Sequence, residues 1–396
     1  MKDVYERLLA ATSLRSSDAA VRIVAEYEPL GGQGDPLFPP TVTSQGSRTA
    51  GYLIEPRYVD GEQAEAVVLD QRQSQANRCE TALLNAIRRG AAFIPHVELR
   101  AEAEGVPVRI SNLEAPHRSR DAYFRDATDA SGTRFDDTEA GRALRDARAG
   151  DYSAYLRLVP TDLAYGVWDS HRKRRIQVKI PRAYTSEMVG IAPLVGVRAA
   201  GRVDPLNLAG DTVEVTDTGW VPAASGKPKK GTKTARMSEL GHGMIPPTEG
   251  LGGVSVTAVQ RHATLSFAQL ATLRFGGADE EFTAAGRALV AAIALLGDRL
   301  AFAAPALHLR SGCDLVMVSE RIEWVQRGHS GQRGADPLAI STGEQALELL
   351  GIAAERARAA GLQWADEPLA VQPNPSLLEA IRKSFLIAGI GEVEGE

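Results

Sequence analysis

The sequence predicts an α+β protein built around a single core. Strand-like and helix-like segments interleave along the chain, no repeat period is visible, and the weakly apolar stretches read as long insertions within the core. Length alone, 396 residues, would allow about two or three domains. The interleaving favours one domain over 1–396.

Taken in order, MKDVYERLLAATSLR is amphipathic and charged, without the apolar centre of a signal peptide. Ala19–Glu28 alternates as a strand does. A Gly/Pro-rich loop follows, from PLGGQGDPLFPP to about Ser47. Its GGQG lacks the Gly-Lys-Ser/Thr ending of a phosphate loop, and Asp35-Pro36 does not open a helix. Next comes EAVVLDQRQSQANRCETALLNAIRR (65–89), a short strand at Ala66–Leu69 that runs directly into a helix. HVELRAEAEGVPVRIS (96–111) reads as a hairpin turning at Glu104-Gly105. A polar, mostly helical stretch then makes an insertion over about 100–165, where Asp136, Asp137 and Glu139 stand at a helix start as capping carboxylates. Residues 187–199 and 253–267 read as strands. The weakly apolar 203–252 between them reads as an inserted arm. Glu281–Ala303 is a helix, Ala306–Val318 a strand, and 335–361 and 375–388 are helices within a C-terminal part, 335–396.

With 44% hydrophobic and 24% charged residues, the composition is that of a soluble globular protein. Two cysteines far apart, Cys79 and Cys313, exclude a disulfide scaffold and a zinc ribbon and fit a reducing cytosol. The longest apolar run, Ala288–Leu296, is about half of a membrane span. The expectation is a cytoplasmic protein with no membrane partner.

A net charge of −5 hides a polarised distribution. HRKRRIQVKIPR (171–182) holds six Lys/Arg and KPKKGTKTAR (227–236) five, neither with an acid. Removing these 11 from the 45 basic residues leaves 34 against 50 acidic ones, a balance of −16. Such a chain can bind a polyanion locally while its body stays acidic; the plainer alternative is that both runs are solvated faces.

On the helix after Leu69, Ala76, Cys79, Leu83 and Ile87 are read as the face on the sheet. Gln71, Ser74, Gln75 and Arg78 are read as the exposed face near the helix start, where amide, hydroxyl and guanidinium donors suit a sugar–phosphate backbone. Asp169, Ser170 and His171 are adjacent and cannot converge as a triad; followed by Arg172, Arg174 and Arg175 they suit a phosphate-facing loop. Trp168, Tyr165 and Tyr184 could stack on bases, although core packing is the preferred reading for Trp168 and Tyr165. Seven scattered histidines show no ligand spacing, so neither a metal site nor a cofactor is expected, and His242 reads as structural.

VVLDQRQSQANRCETAL, YGVWDSHRKRR, PRAYTSEMVG, MSELGHGMIPPTEGLGGVSVTAVQRHATLSFAQLATLRF and LHLRSGCDLV together resemble the backbone subunit of type I-U (now I-G) CRISPR Cascade complexes, a Cas-seven-like member of the RAMP superfamily. The resemblance runs from about Ala20 to Val318. It implies a modified RRM-like (ferredoxin-like) palm with an inserted β-hairpin thumb over 203–252 and helical insertions. It also implies a non-catalytic protein that polymerises along CRISPR RNA and presents it to target DNA in antiviral defence. Implied partners are that RNA, target DNA through the guide, further copies of the chain, a Cas-five/Cas-six-like fusion subunit and a large subunit. The RNA-facing positions would be Gln73, Ser74, Asn77 and Arg78, then Ser170, His171 and Arg172, with Arg174 and Arg175 beside them and Lys227, Lys229 and Lys230 on the thumb. Arg72 and Gly312 depart from the pattern, where a small or apolar residue and a second arginine are expected. Two rivals stand beside this reading. A RAMP endoribonuclease would need a loop Asp near RNA, for which Asp35 and Asp70 are the candidates. A monomeric single-strand RNA binder would need an aromatic platform on its sheet, of which the sequence shows no sign.

Overall fold

The structure, a computed structural model, describes residues 1–13, 16–43, 50–59, 61–169, 177–206, 208, 212–216, 219–222, 233–327 and 333–388. Helix α1 (Lys2–Ala11) precedes strand β1 (Asp18–Pro29). The hairpin of β2 (Ile54–Val59) and β3 (Glu62–Asp70) leads into α2 (Arg72–Arg88). After the insertion come β4 (Tyr184–Ile191), β5 (Leu194–Arg202), β6 (Ile245–Ser255) and β7 (Ala258–Ser266), then helix α3 (Glu280–Phe302). β8 (Ala306–Arg310), β9 (Cys313–Arg327), β10 (Arg333–Pro337), α4 (Gly343–Ala359) and α5 (Pro375–Ile387) complete the described chain.

The main sheet runs β8-β9-β1-β7-β4-β3-β2, with β10 also on β9. Its centre, β9-β1-β7-β4, is antiparallel throughout. α2 falls between β1 and β4 in the chain, and α3 between β7 and β9. That is a βαββαβ unit with strands in the order fourth, first, third, second: the ferredoxin-like palm expected from the sequence.

Period-two burial decides which face the helices cover. Val21, Ile23, Ala25 and Tyr27 of β1 and Val259, Arg261, Ala263 and Leu265 of β7 are buried, while Glu26 and His262 are exposed. α3 is buried almost all round from Ala285 to Arg299, because it lies between the sheet, α2, α1 and α4. Its Gly297 allows that closeness: a Cβ there would stand 2.1 Å from the Tyr165 hydroxyl oxygen and 3.2 Å from Cys79 Cβ on α2. The insertion is fastened to α2 by Arg118, whose guanidinium donates to both oxygens of buried Glu80 at 2.5 and 2.8 Å. Val97–Ala103 and Val106–Ser111 form the expected hairpin, and Thr138 caps the helix at Glu139–Asp146 through its hydroxyl oxygen and the Gly141 N–H.

Several boundaries differ from the sequence reading, each for a local reason. The strand expected over 187–199 is two, β4 and β5. Ala192 has φ +49° and Pro193 has no N–H for the ladder. Likewise 253–267 is divided between β6 and β7. The arm therefore begins at Leu194 and closes at Ser255 as a long β5–β6 ribbon. Three short strands, Val213–Thr216, Gly219–Pro222 and Thr234–Ala235, form a small sheet within it. The strand expected over 306–318 is a hairpin, β8–β9, turning at Ser311-Gly312, and Gly312 has φ +74°. The helix expected from 335 begins at Gly343. Pro337 ends β10, and Thr342 and Gln345 make a capping box. Among the described residues no helix is long and apolar enough to cross a membrane.

Candidate functional site

The site is built at the junction of β3 and α2. Asp70 ends the strand. Gln71, extended at φ −78° and ψ 163°, occupies the N-cap position without a side-chain cap bond. Ala76, Cys79 and Leu83 are buried as the helical pattern predicts, and Gln73 and Asn77 are exposed. Gln75 is a correction. It lies one turn from Cys79 and so on the buried stripe, fully inaccessible rather than exposed. Its amide oxygen accepts from Ser186 Oγ at 2.7 Å and Arg261 Nε at 3.1 Å, and its amide nitrogen donates to Asp70 Oδ2.

Behind Gln75 runs a buried ionic network. Arg261 donates to the Tyr184 hydroxyl at 2.7 Å and to Asp298. Asp298 also accepts from Tyr184 and Arg299, and Arg299 bonds Glu320 at 2.6 and 2.8 Å. Burial alone would raise the Asp298 carboxyl. The Arg261 and Arg299 guanidiniums overcome that and hold it down at about 2. The network thus joins the first turn of α2 to β4, β7, α3 and β9.

Arg78 is half-buried, with 27% of its side chain exposed. Nε donates to Asp70 Oδ2 at 2.8 Å, and the two terminal nitrogens donate to the His308 and Leu309 carbonyls at 3.2 and 2.8 Å. It therefore ties the helix start to β8 and is not a simply exposed donor. Arg72 is exposed but turns to Glu187, which Arg57 also holds at 2.7 Å. Burial would raise the Glu187 carboxyl; the bonds from Arg57 and Arg72 bring it below its ordinary value. Arg72 has an ion-pairing role at the position where the resemblance led to the expectation of a small or apolar residue.

Gln73, Ser74, Asn77 and Arg78 line one cavity of about 550 Å³, which Arg310 also lines. The structure brings these four predicted residues together. Ser170, His171, Arg172, Arg174, Arg175, Lys227, Lys229 and Lys230 lie outside the described residues. Asp35 is exposed on its loop, and Asp70 is buried and bonded to Gln75 and Arg78. Tyr165 and Tyr184 are core. Trp168 is not: it is 54% exposed, with Lys179 Nζ 5.3 Å from its ring, because it lies at the outer side of a two-residue strand.

Sequence reasoning missed Arg310 and Arg198. The first ends β8 in LHLRSG and the second lies on the exposed ribbon. A second cavity of about 460 Å³, lined by Phe38, Tyr52, Arg198 and Arg310, shares Arg310 with the first. The segment between them alternates: Pro39 and Thr41 line one cavity, Pro40 and Val42 the other. The two cavities meet at Arg310, and among the described residues lining them Asp70 is the only acid.

Over residues 21–193, from β1 to the point where the arm leaves the palm, the chain matches the family model described as CRISPR-associated protein GSU0053. No curated protein matches it. The match agrees with the resemblance read from the residues and supports a CRISPR-related role.

Proposed function

We propose that this CRISPR-associated protein is a non-catalytic, CRISPR RNA-binding backbone subunit of a type I-G (I-U) Cascade complex. In this reading copies of it assemble along the guide RNA, hold it for pairing with target DNA, and meet a Cas-five/Cas-six-like fusion subunit and a large subunit at the ends, in the cytoplasm. The observation that carries the reading is the groove at the start of α2. Exposed amides from Gln73 and Asn77, the Ser74 hydroxyl and Arg310 converge there. These groups bond phosphate and ribose without reading bases, as a subunit that accepts any spacer must.

The open face of the sheet favours this over a simple single-strand binder. Its registered positions are Arg22, Val24 and Glu26 on β1, Gln260, His262 and Thr264 on β7, and Thr185 and Glu187 on β4. None is Phe, Tyr or Trp, and two are acidic. RNA stacked on the sheet would need the reverse.

The test is binding of the purified chain to unrelated single-stranded RNAs of equal length. Affinity should vary little with sequence, and its logarithm should fall against log salt with a slope of about −0.7 per neutralised phosphate. Gln73→Ala/Asn77→Ala and Arg172→Glu/Arg174→Glu should weaken binding at unchanged melting temperature. Salt-independent binding, confinement to one sequence, or wild-type affinity in both variants would overturn the reading. RNA and DNA incubated with the protein and magnesium, manganese or zinc should stay intact. Scission abolished by Asp35→Ala or Asp70→Ala would establish the endoribonuclease instead.

A further inference from the structure

Phe38 is fastened more firmly than a loop residue needs to be. Leu37 exchanges backbone hydrogen bonds with Val254 of the ribbon at 2.9 and 2.7 Å, and the Phe38 N–H donates to the Gly312 carbonyl at 2.8 Å. Glycines clear room for it on both sides: a Cβ at Gly253 would stand 3.2 Å from the Phe38 ring, and one at Gly312 2.7 Å. A side chain at 312 would meet that ring from a left-handed backbone position. Yet the ring is only half-buried and opens into the 460 Å³ cavity. Arg198 stands 5.2 Å over it, Arg310 and Ser311 lie at the rim, and Tyr52 is fixed by donating its hydroxyl to the Gly252 carbonyl at 2.5 Å. Among the described residues lining this cavity none is acidic.

We propose that this pocket seats one unstacked nucleobase of single-stranded RNA against Phe38, with Arg198 and Arg310 on the flanking phosphates. The proposal rests on the RNA-binding reading above. It is favoured by the cavity's size, which is that of a small-ligand site, and by Arg310, which continues the donor-lined cavity at α2 into this one. An exposed cation–π contact is weaker than a base stacked on an aromatic ring. An incoming base therefore displaces Arg198 from the ring, and the guanidinium turns to phosphate.

The experiment uses the full chain and RNAs long enough for one copy, with a single abasic site moved along the series. Wild type should lose about tenfold in affinity at one abasic position. Phe38→Ala should lose about tenfold on intact RNA and nothing further at that position, and Phe38→Trp should restore both the affinity and the abasic effect. Wild-type affinity in Phe38→Ala, or an equal further loss from the abasic site in the variant, removes the pocket and leaves the RNA-binding reading standing. A wild-type chain that binds none of the RNAs sinks that reading, and the pocket with it.

Discussion

The start of α2 and the β5–β6 ribbon both present polar groups outward, but they are held in opposite ways. At α2 the exposed Gln73 and Asn77 stand on a helix whose inner side is bonded through Gln75 to Ser186, Arg261 and Asp70. Along β5 nearly every residue is exposed, including Leu194 and Val197 at 75% each. The ribbon's order comes from its own ladder, and that ladder shifts register twice. A few buried bonds can fix a donor's position to within fractions of an ångström, whereas a two-stranded ribbon fixes mainly its direction. The palm is thus suited to gripping and the arm to reaching.

The sharpest way to break this contrast is Arg261→Met. The change removes the guanidinium that joins Gln75, Tyr184 and Asp298, and it leaves Asp298 with Arg299 as its remaining cationic partner. Losing one member of a buried ion pair costs about 3–5 kcal/mol, so urea unfolding should show a loss of that size. RNA affinity should also fall, although Arg261 itself is inaccessible. A loss below about 1 kcal/mol would mean that packing, not the network, positions the helix.

Arg78→Gln comes next. Read as an exposed donor, Arg78 should tolerate replacement with little change in stability. Its bonds to Asp70 and to the His308 and Leu309 carbonyls reverse that expectation. Leaving Asp70, buried to 5% exposure, without its guanidinium should cost about 1–3 kcal/mol. RNA binding would weaken partly through the displaced helix. A variant that melts like wild type yet binds RNA poorly would restore the direct-contact role.

These two residues also show where the sequence was legible and where it was not. Period-two and helical patterns gave β1, α2, α3 and the hairpin at 97–111, because burial of one face imprints itself on neighbouring residues. Breaks at Ala192-Pro193 and Ser311-Gly312 were visible as turn chemistry but were overridden by the apolar runs on either side. Gln75 and Arg261 are polar residues at buried positions, and each looks anomalous alone. Their explanation is one another, at a separation of 186 residues that no local pattern can reveal. Arg310, Arg198 and Phe38 converge for the same kind of reason, through the β8–β9 turn and the ribbon's base.

The smallest effect on stability, and the clearest test of the arm, should come from replacing residues 223–232 with a Gly-Ser linker of equal length. The segment contains Lys227, Lys229 and Lys230 and lies outside the described residues, between Gly219–Pro222 and Thr234–Ala235. Both flanking strands pair with Val213–Thr216, so the small sheet keeps its ladder, and the buried bonds described for the palm are all made by other residues. Unfolding should shift by no more than about 0.5 kcal/mol. If the arm reaches across to RNA held by the next copy, the lysines act only at that junction. Affinity for RNA long enough for one copy should then fall little, while cooperative assembly on longer RNA should weaken, as a length series by gel shift and light scattering would show. An equal loss at every length would mean that the lysines serve their own subunit's groove. Unchanged cooperativity would leave the grip to the palm alone.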